Sequence, residues 1–352
     1  MGLQLTNAQF NQVLARLSAK YAIYAPKNFP LEGRYSDTDM VRYDGITQVE
    51  DIVFERKSDM SAKEIVTPIN ETIMFFFNGQ VQESKIPQKE ILIFARACDI
   101  NGFKRLDDIF LRNSETPDYY YQRRRNKIKF IAIECPSQGW DTCFCVSTQT
   151  NDTSDYALAV KSTGESLKIE IKDQEFAEYF ADFAQNSTCQ YQYQPVLENE
   201  LKLTLPVINS QEVLTRLKNH PMWKEYNRRC VMCGSCTVNC PTCSCFTTYD
   251  VKFATDSETG AGERRRMAAS CHVDGFTDMA GGHTFRTSAA ERMRFKALHK
   301  VHDHKQRFGD NMCVGCGRCD DRCPEHISFS SMIQKMHTAV EQIKQELNHD
   351  SK

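Results

Sequence analysis

The sequence predicts a mixed α/β domain over residues 1–220 followed by an all-α domain over residues 221–352, and three observations predict it. In the first half, short apolar runs bounded by Gly, Pro and Asn alternate with amphipathic stretches, the pattern of an α/β layer. In the last third, 288–308 (SAAERMRFKALHKVHDHKQRF) and 331–352 (SMIQKMHTAVEQIKQELNHDSK) keep a helical period. The same third holds two dense cysteine runs, CVMCGSCTVNCP at 230–241 and CVGCGRCDDRCP at 313–324. The boundary is placed between about 205 and 228.

In order, NAQFNQVLARLSAK (7–20) places Phe10, Val13, Leu14 and Leu17 on one helical face. Tyr21–Tyr24, Met40–Tyr43 and Thr72–Phe77 read as strands between turn residues. Ile91–Ala95 reads as a buried strand feeding a helix that starts at Asp99 or Asn101. An Arg-rich helix (118–127) and a strand (129–135) follow. Residues 155–173 read as strands and turns, and 175–184 and 211–226 as helices. Ser288 with Glu291 three residues on has the form of a capping box, with Met293, Phe295, Leu298 and Val301 as buried positions. Gly281-Gly282-His283 suits a tight turn, and the charged C-terminal end is expected to fray.

Composition narrows the function classes. A net charge of −2 gives no general affinity for nucleic acid or an anionic membrane. The longest apolar runs are too short to span a bilayer. The first residues, MGLQLTNAQF, lack the basic and apolar regions of a signal peptide. They match the short myristoylation pattern through Gly2 and Thr6, which is discounted beside the redox character of the rest. Sixteen cysteines without an export signal imply a reducing cytoplasm and metal ligation.

Both cysteine runs are C-x2-C-x2-C-x3-C-P, the spacing of [4Fe-4S] ligation, in which the last Cys of each run serves the other cluster. One centre then takes Cys230, Cys233, Cys236 and Cys323, and the other Cys313, Cys316, Cys319 and Cys240. Gly234, Ser235, Gly315 and Gly317 leave room for backbone close to a cluster, and Pro241 and Pro324 end each turn. Zinc would want two pairs separated by a longer gap, and disulfides want an oxidising compartment. The long, helix-rich insert at 241–312 suggests a helical ferredoxin-like dicluster domain, by analogy of fold.

Eight cysteines lie outside the boxes. Cys98, Cys135, Cys143 and Cys145 fall at expected strand ends and turns, and either hold a third [4Fe-4S] cluster or pack as small apolar residues. Cys243 and Cys245 read as packed residues, with thiols behind the ligands or substitute ligands as alternatives, while Cys189 and Cys271 pack or sit idle. His299, His302 and His304, and the runs Arg123–Arg125 and Arg264–Arg266, read as solvated faces. No nucleotide-binding glycine pattern and no nucleophile–base set occurs. The chain is expected to carry electrons, with no catalytic site of its own.

CVMCGSCTVNCPTCSCF, RRRMAASC, AGGHTFR and CVGCGRCDDRCP, with RACD and TCFC upstream, together resemble one iron–sulfur protein family. It is shared by the iron–sulfur subunit of anaerobic sulfite reductase and the beta subunits of soluble sulfhydrogenases. The run as a whole is most similar to the sulfite reductase branch. The resemblance implies a cytoplasmic relay between a flavin and NADH-binding partner and a sirohaem partner that reduces sulfite to sulfide. The alternative it implies is the iron–sulfur beta subunit of a soluble hydrogenase.

Overall fold

The computed structural model describes residues 2–253 and 260–350; the last two residues of the expected frayed end lie outside them. Eleven strands occur among the described residues: β1 Gly2–Thr6, β2 Tyr21–Phe29, β3 Met40–Gly45, β4 Asn70–Phe77, β5 Gln80–Glu83, β6 Glu90–Ala95, β7 Ile128–Ile133, β8 Leu158–Ser162, β9 Ser166–Ile171, β10 Phe246–Lys252 and β11 Gly262–Ala268. Seven form one sheet in the order β1-β9-β8-β7-β6-β2-β3. Its centre, β2-β6-β7-β8, is parallel, and its edges are antiparallel.

Parallel strands covered on both faces read as unbroken apolar runs, and Ile91–Ala95 is buried throughout. Helix Asn7–Lys20 covers one face with Phe10, Val13, Leu14 and Leu17. Helix Ala97–Leu111 covers the other with Ile100, Phe103 and Leu106. The first helix begins in a capping box between Thr6 and Gln9. The segment expected to be helical at 175–184 instead forms 3₁₀ turns over Gln174–Phe180, where Phe176 stacks on Tyr21 with ring centres 5.6 Å apart. Packing against the sheet overrides local periodicity there.

The second half departs from the all-α expectation. β10 and β11 form a hairpin that joins β4 and β5 in a four-stranded antiparallel sheet, ordered β10-β11-β4-β5. The partner that satisfies β11 lies far earlier in the chain, so no local signal announces the sheet. Arg264 is exposed as expected, but most of the two arginine runs is not a solvated face. Arg266 is buried and pairs with Asp118 at 3.1 Å, Arg124 with Glu71 at 2.7 Å and Arg125 with Asp107 at 3.0 Å. The first two fasten the small sheet to helix Tyr119–Arg125, and the third ties that helix to Ala97–Leu111.

The helices of the C-terminal half pack around Trp223, Met293, Leu298, Val301, Phe329, Ile333, Met336 and Val340. The stretch 211–226 breaks at Asn219–His220, before Pro221, into helix Gln211–Lys218 and a 3₁₀ turn. Helix Ala289–Leu298 starts in the expected Ser288–Glu291 capping box. It continues through a π-helical turn, His299–Asp303, into His304–Phe308 and stops at Gly309. Phe329–Asp350 closes the chain. Among the described residues, no helix is long and apolar enough to cross a membrane.

Candidate metal centres

Cys230, Cys233, Cys236 and Cys323 line one cavity, with Cys319, His272, Lys296 and Phe329. Gly234 turns the chain there at φ +77°, and a Cβ on it would come within 2.9 Å of Val273 and 3.0 Å of Ser270. Cys233 is exposed, so this site lies at the surface. His272 is buried, its Nδ1 4.0 Å from Cys230 Sγ, and its Nε2 has no hydrogen-bond partner among the described residues. Burial, with Lys296 and Arg292 nearby, pushes its pKa down to about 3. A neutral imidazole with a free buried nitrogen is a ready donor to an anionic group.

Cys313, Cys316, Cys319 and Cys240 form a second, deeper set whose charges act on one another. Burial pushes the Cys313 thiol up to about 12 and Cys316 to about 11. Cys240 goes the other way: a hydrogen bond from Cys243, then Lys300 and Lys63, hold it well below the usual thiol range.

The second box is seated on the N-terminal half, backbone to backbone. A Cβ on Gly315 would meet Phe144 at 2.5 Å, and one on Gly317 would meet Thr142 O at 2.3 Å. Phe144 N donates to Gly315 O at 2.8 Å, and Thr150 Oγ1 to Val314 O at 2.8 Å. Lys57 Nζ ties the joint, donating to Thr142 Oγ1 at 2.7 Å and Cys316 O at 3.0 Å, and pairing with Asp321 at 2.5 Å. The room that these two glycines provide is thus filled by the Thr142–Cys145 loop.

That loop brings the N-terminal cysteines together. Cys98 at the start of its helix, Cys135 after β7, and Cys143 and Cys145 line one cavity, and Cys316 of the second box lines it too. It is similar in size to the cavity of the first site. Arg96 is buried at its wall, 4.5 Å over Trp140, and its Nη1 has no hydrogen-bond partner among the described residues. Burial raises the Cys98 and Cys135 thiols and pushes Cys145 up to about 12.

The donor sets fit iron–sulfur clusters. All three are built from thiols, with buried cations close by. Among the described residues, no three His, Cys, Asp or Glu side chains converge as a single ion needs; zinc draws its thiolates to about 2.3 Å from one point. Thiols ringing a gap suit a cluster, which spreads them apart.

Several contributors carry little signal in the sequence: Lys57, Lys63, Lys296, Lys300, Arg96 and His272. Only the i, i+4 spacing of Lys296 and Lys300 offers one. Cys243 and Cys245, read as packed residues with thiols behind the ligands as an alternative, hydrogen-bond with Cys240 and Cys271; the hydrogen bond from Cys271 pushes Cys245 down to about 6. His304 is buried and bonded to Asp310 O at 2.7 Å, and His299 is half-buried, so that stretch is not a solvated face.

Residues 229–327 match the family model of the 4Fe-4S dicluster domain. The match supports [4Fe-4S] clusters here, and electron transfer with them. The chain is also 26% identical over 349 residues to the sulfhydrogenase 2 subunit beta of Pyrococcus furiosus, covering 96% of this chain and 99% of that protein. No solved structure matches the chain significantly.

The depressed pKa of His272 sets an acid dependence. Below pH 6.5 an unfolded chain takes up a proton that folded His272 refuses until about pH 3. Its contribution to stability is complete above that window and falls as pH drops through it, at up to about 1.4 kcal/mol per unit. His272→Gln is expected to flatten the fall, read from urea midpoints of metal-free protein between pH 7 and 4. An unchanged slope would refute this.

Proposed function

We propose that this chain is the electron-relay subunit of a cytoplasmic multi-subunit oxidoreductase, of the kind that serves as the beta subunit of a soluble hydrogenase or sulfhydrogenase. One observation supports the relay reading: the second box contributes a lining cysteine to the cavity of each other thiol set. Cys319 of the second box lines the cavity of the first site, and Cys316 lines that of the N-terminal four. The second box therefore stands between the other two.

In this reading residues 221–352 hold two [4Fe-4S] clusters on the eight box cysteines. Residues 1–220 hold a third on Cys98, Cys135, Cys143 and Cys145 and provide docking surface. The clusters supply one-electron chemistry when bound. The chain's own residues supply the thiolates, the buried cations beside them and the protein wall that keeps water from the inner site. A flavin and NADH-binding partner would deliver electrons in pairs, to be passed on singly.

The near full-length likeness to a sulfhydrogenase beta subunit favours the hydrogenase branch over the sulfite reductase branch that the sequence strings alone favour. The test is anaerobic purification from the native host, with iron and acid-labile sulfide counted per chain and cofactors of co-purifying subunits identified. About twelve irons with nickel in a partner supports the reading. About eight would remove the third centre. Sirohaem in the partner would return the sulfite reductase role, and zinc without sulfide would overturn electron transfer.

A further inference from the structure

The helical run from Ala289 to Phe308 carries Arg292, Lys296, Lys300 and His304 four residues apart, which places them along one face. All four are buried, the lysines to 3% and 2% exposure. Like charges at this spacing destabilise a helix, and a buried ammonium without a counter-charge is costlier still. The ends of the stripe each face a carboxylate. Arg292 pairs with Asp274 at 2.7 Å and donates to Val273 O at 2.9 Å. His304 bonds Asp310 O and lies 3.4 Å from Asp108.

The middle is different. Among the described residues neither Lys296 nor Lys300 forms an ion pair with a carboxylate. Lys300 Nζ donates to Thr242 Oγ1 at 2.6 Å, and that oxygen lies 3.3 Å from Cys240 Sγ. Lys296 Nζ sits 4.4 Å over the Phe329 ring. The ionisable groups around them are cysteines. Lys296 lines the first cavity beside Cys236 of the first box and Cys319 of the second, and Cys243 lies near it. Lys300 reaches Cys240 through Thr242, its carbonyl accepts from Cys313 N at 3.0 Å, and Cys243 lies near it, all around the second box. The π-helical turn, a feature concentrated at functional sites, spans Lys300.

We infer that Lys296 is a cationic positioning residue shared by both box-held centres, and Lys300 one serving the second alone, each favouring the reduced state of the centre it faces. The inference rests on the relay reading of the boxes. Reduction adds one negative charge to a centre, and a fixed ammonium in a dry site stabilises that charge more than it would in water. A lysine standing between two centres raises both potentials together and leaves the step between them unchanged.

The experiment compares the full-length wild-type chain with Lys296→Met, Lys296→Gln and Lys300→Met, all purified anaerobically. Iron and sulfide are counted, and potentials are read by redox titration followed by electron paramagnetic resonance. Wild-type protein without iron and sulfide would fail the relay reading itself. With a loaded wild type, Lys296→Met is expected to lower two potentials, each by roughly tenfold in the reduced-to-oxidised ratio at fixed potential, or about 59 mV for one electron. Lys300→Met is expected to lower one. Lys296→Gln, which keeps a donor and loses the charge, should follow Lys296→Met. A shift of one centre or none in Lys296→Met, or wild-type potentials in Lys296→Gln, overturns the inference.

Metal-free chains provide a second readout, which decides the matter if a variant fails to load. Metal-free Lys296→Met should be at least as stable to urea as metal-free wild type, because it removes a buried charge that only the centres offset. Destabilisation of the metal-free variant would overturn the inference, since the lysine would then serve the polypeptide.

Discussion

Replacing Arg318 with methionine is expected to cost about 3–5 kcal/mol of stability, the usual consequence of stranding one member of a buried ion pair. Arg318 lies inside the second box and Asp99 directly follows Cys98; their side chains are 1% and 0% exposed. The guanidinium grips the carboxylate with both arms, Nη1 to Oδ1 at 2.8 Å and Nη2 to Oδ2 at 2.7 Å. Two further donors go to Ser58, Nε to the carbonyl at 2.9 Å and Nη2 to Oγ at 2.8 Å. Tyr43 donates to Asp99 Oδ2 at 3.2 Å. Methionine fills much of the volume and leaves the carboxylate with one neutral donor from this set.

Urea unfolding of metal-free Arg318→Met measures the cost, and a loss below about 1 kcal/mol would refute the argument. Adding Asp99→Leu should restore part of the loss, because the penalty lies in the unpaired charge more than in the missing attraction. The pair also joins the second box to the helix of Cys98. Its loss should loosen that joint before it unfolds the large sheet, whose central strands are buried on both faces.

What can be read from the chain follows the range of the interactions involved. The boxes are visible because each gathers its thiols within a dozen residues. The Ser288–Glu291 capping box and the apolar face of helix Asn7–Lys20 are equally local. The β10–β11 hairpin escapes a local reading because its ladder partner, β4, lies in the other half of the sequence. Arg264–Arg266 hides it further, since a strand with three successive arginines resembles a solvated run until Asp118 and Glu263 are placed beside it. Gly315 and Gly317 do mark a close approach, but the approaching group is the Thr142–Cys145 backbone. The buried lysines draw no notice in the sequence because cations at helical spacing usually face water, and only the fold shows what surrounds them.

Cys316→Ser should have the largest effect on the metal content and on the path together. Among the described residues, Cys316 is the one box cysteine that also lines the cavity of Cys98, Cys135, Cys143 and Cys145, and its carbonyl accepts from Lys57 and from Cys143 Sγ at 3.7 Å. If the second box is the middle of a row, losing its ligand costs about four irons per chain. It also separates two centres that remain loaded. The expected result is two surviving signals that no longer equilibrate when electrons are supplied from one side. Cys143→Ser, by contrast, should remove the N-terminal centre and leave both box signals exchanging. Unchanged iron in Cys316→Ser would refute the ligand assignment. Lost iron with electrons still crossing would refute the order, because among the described residues the first site and the N-terminal cavity share no lining residue through which a second route could pass.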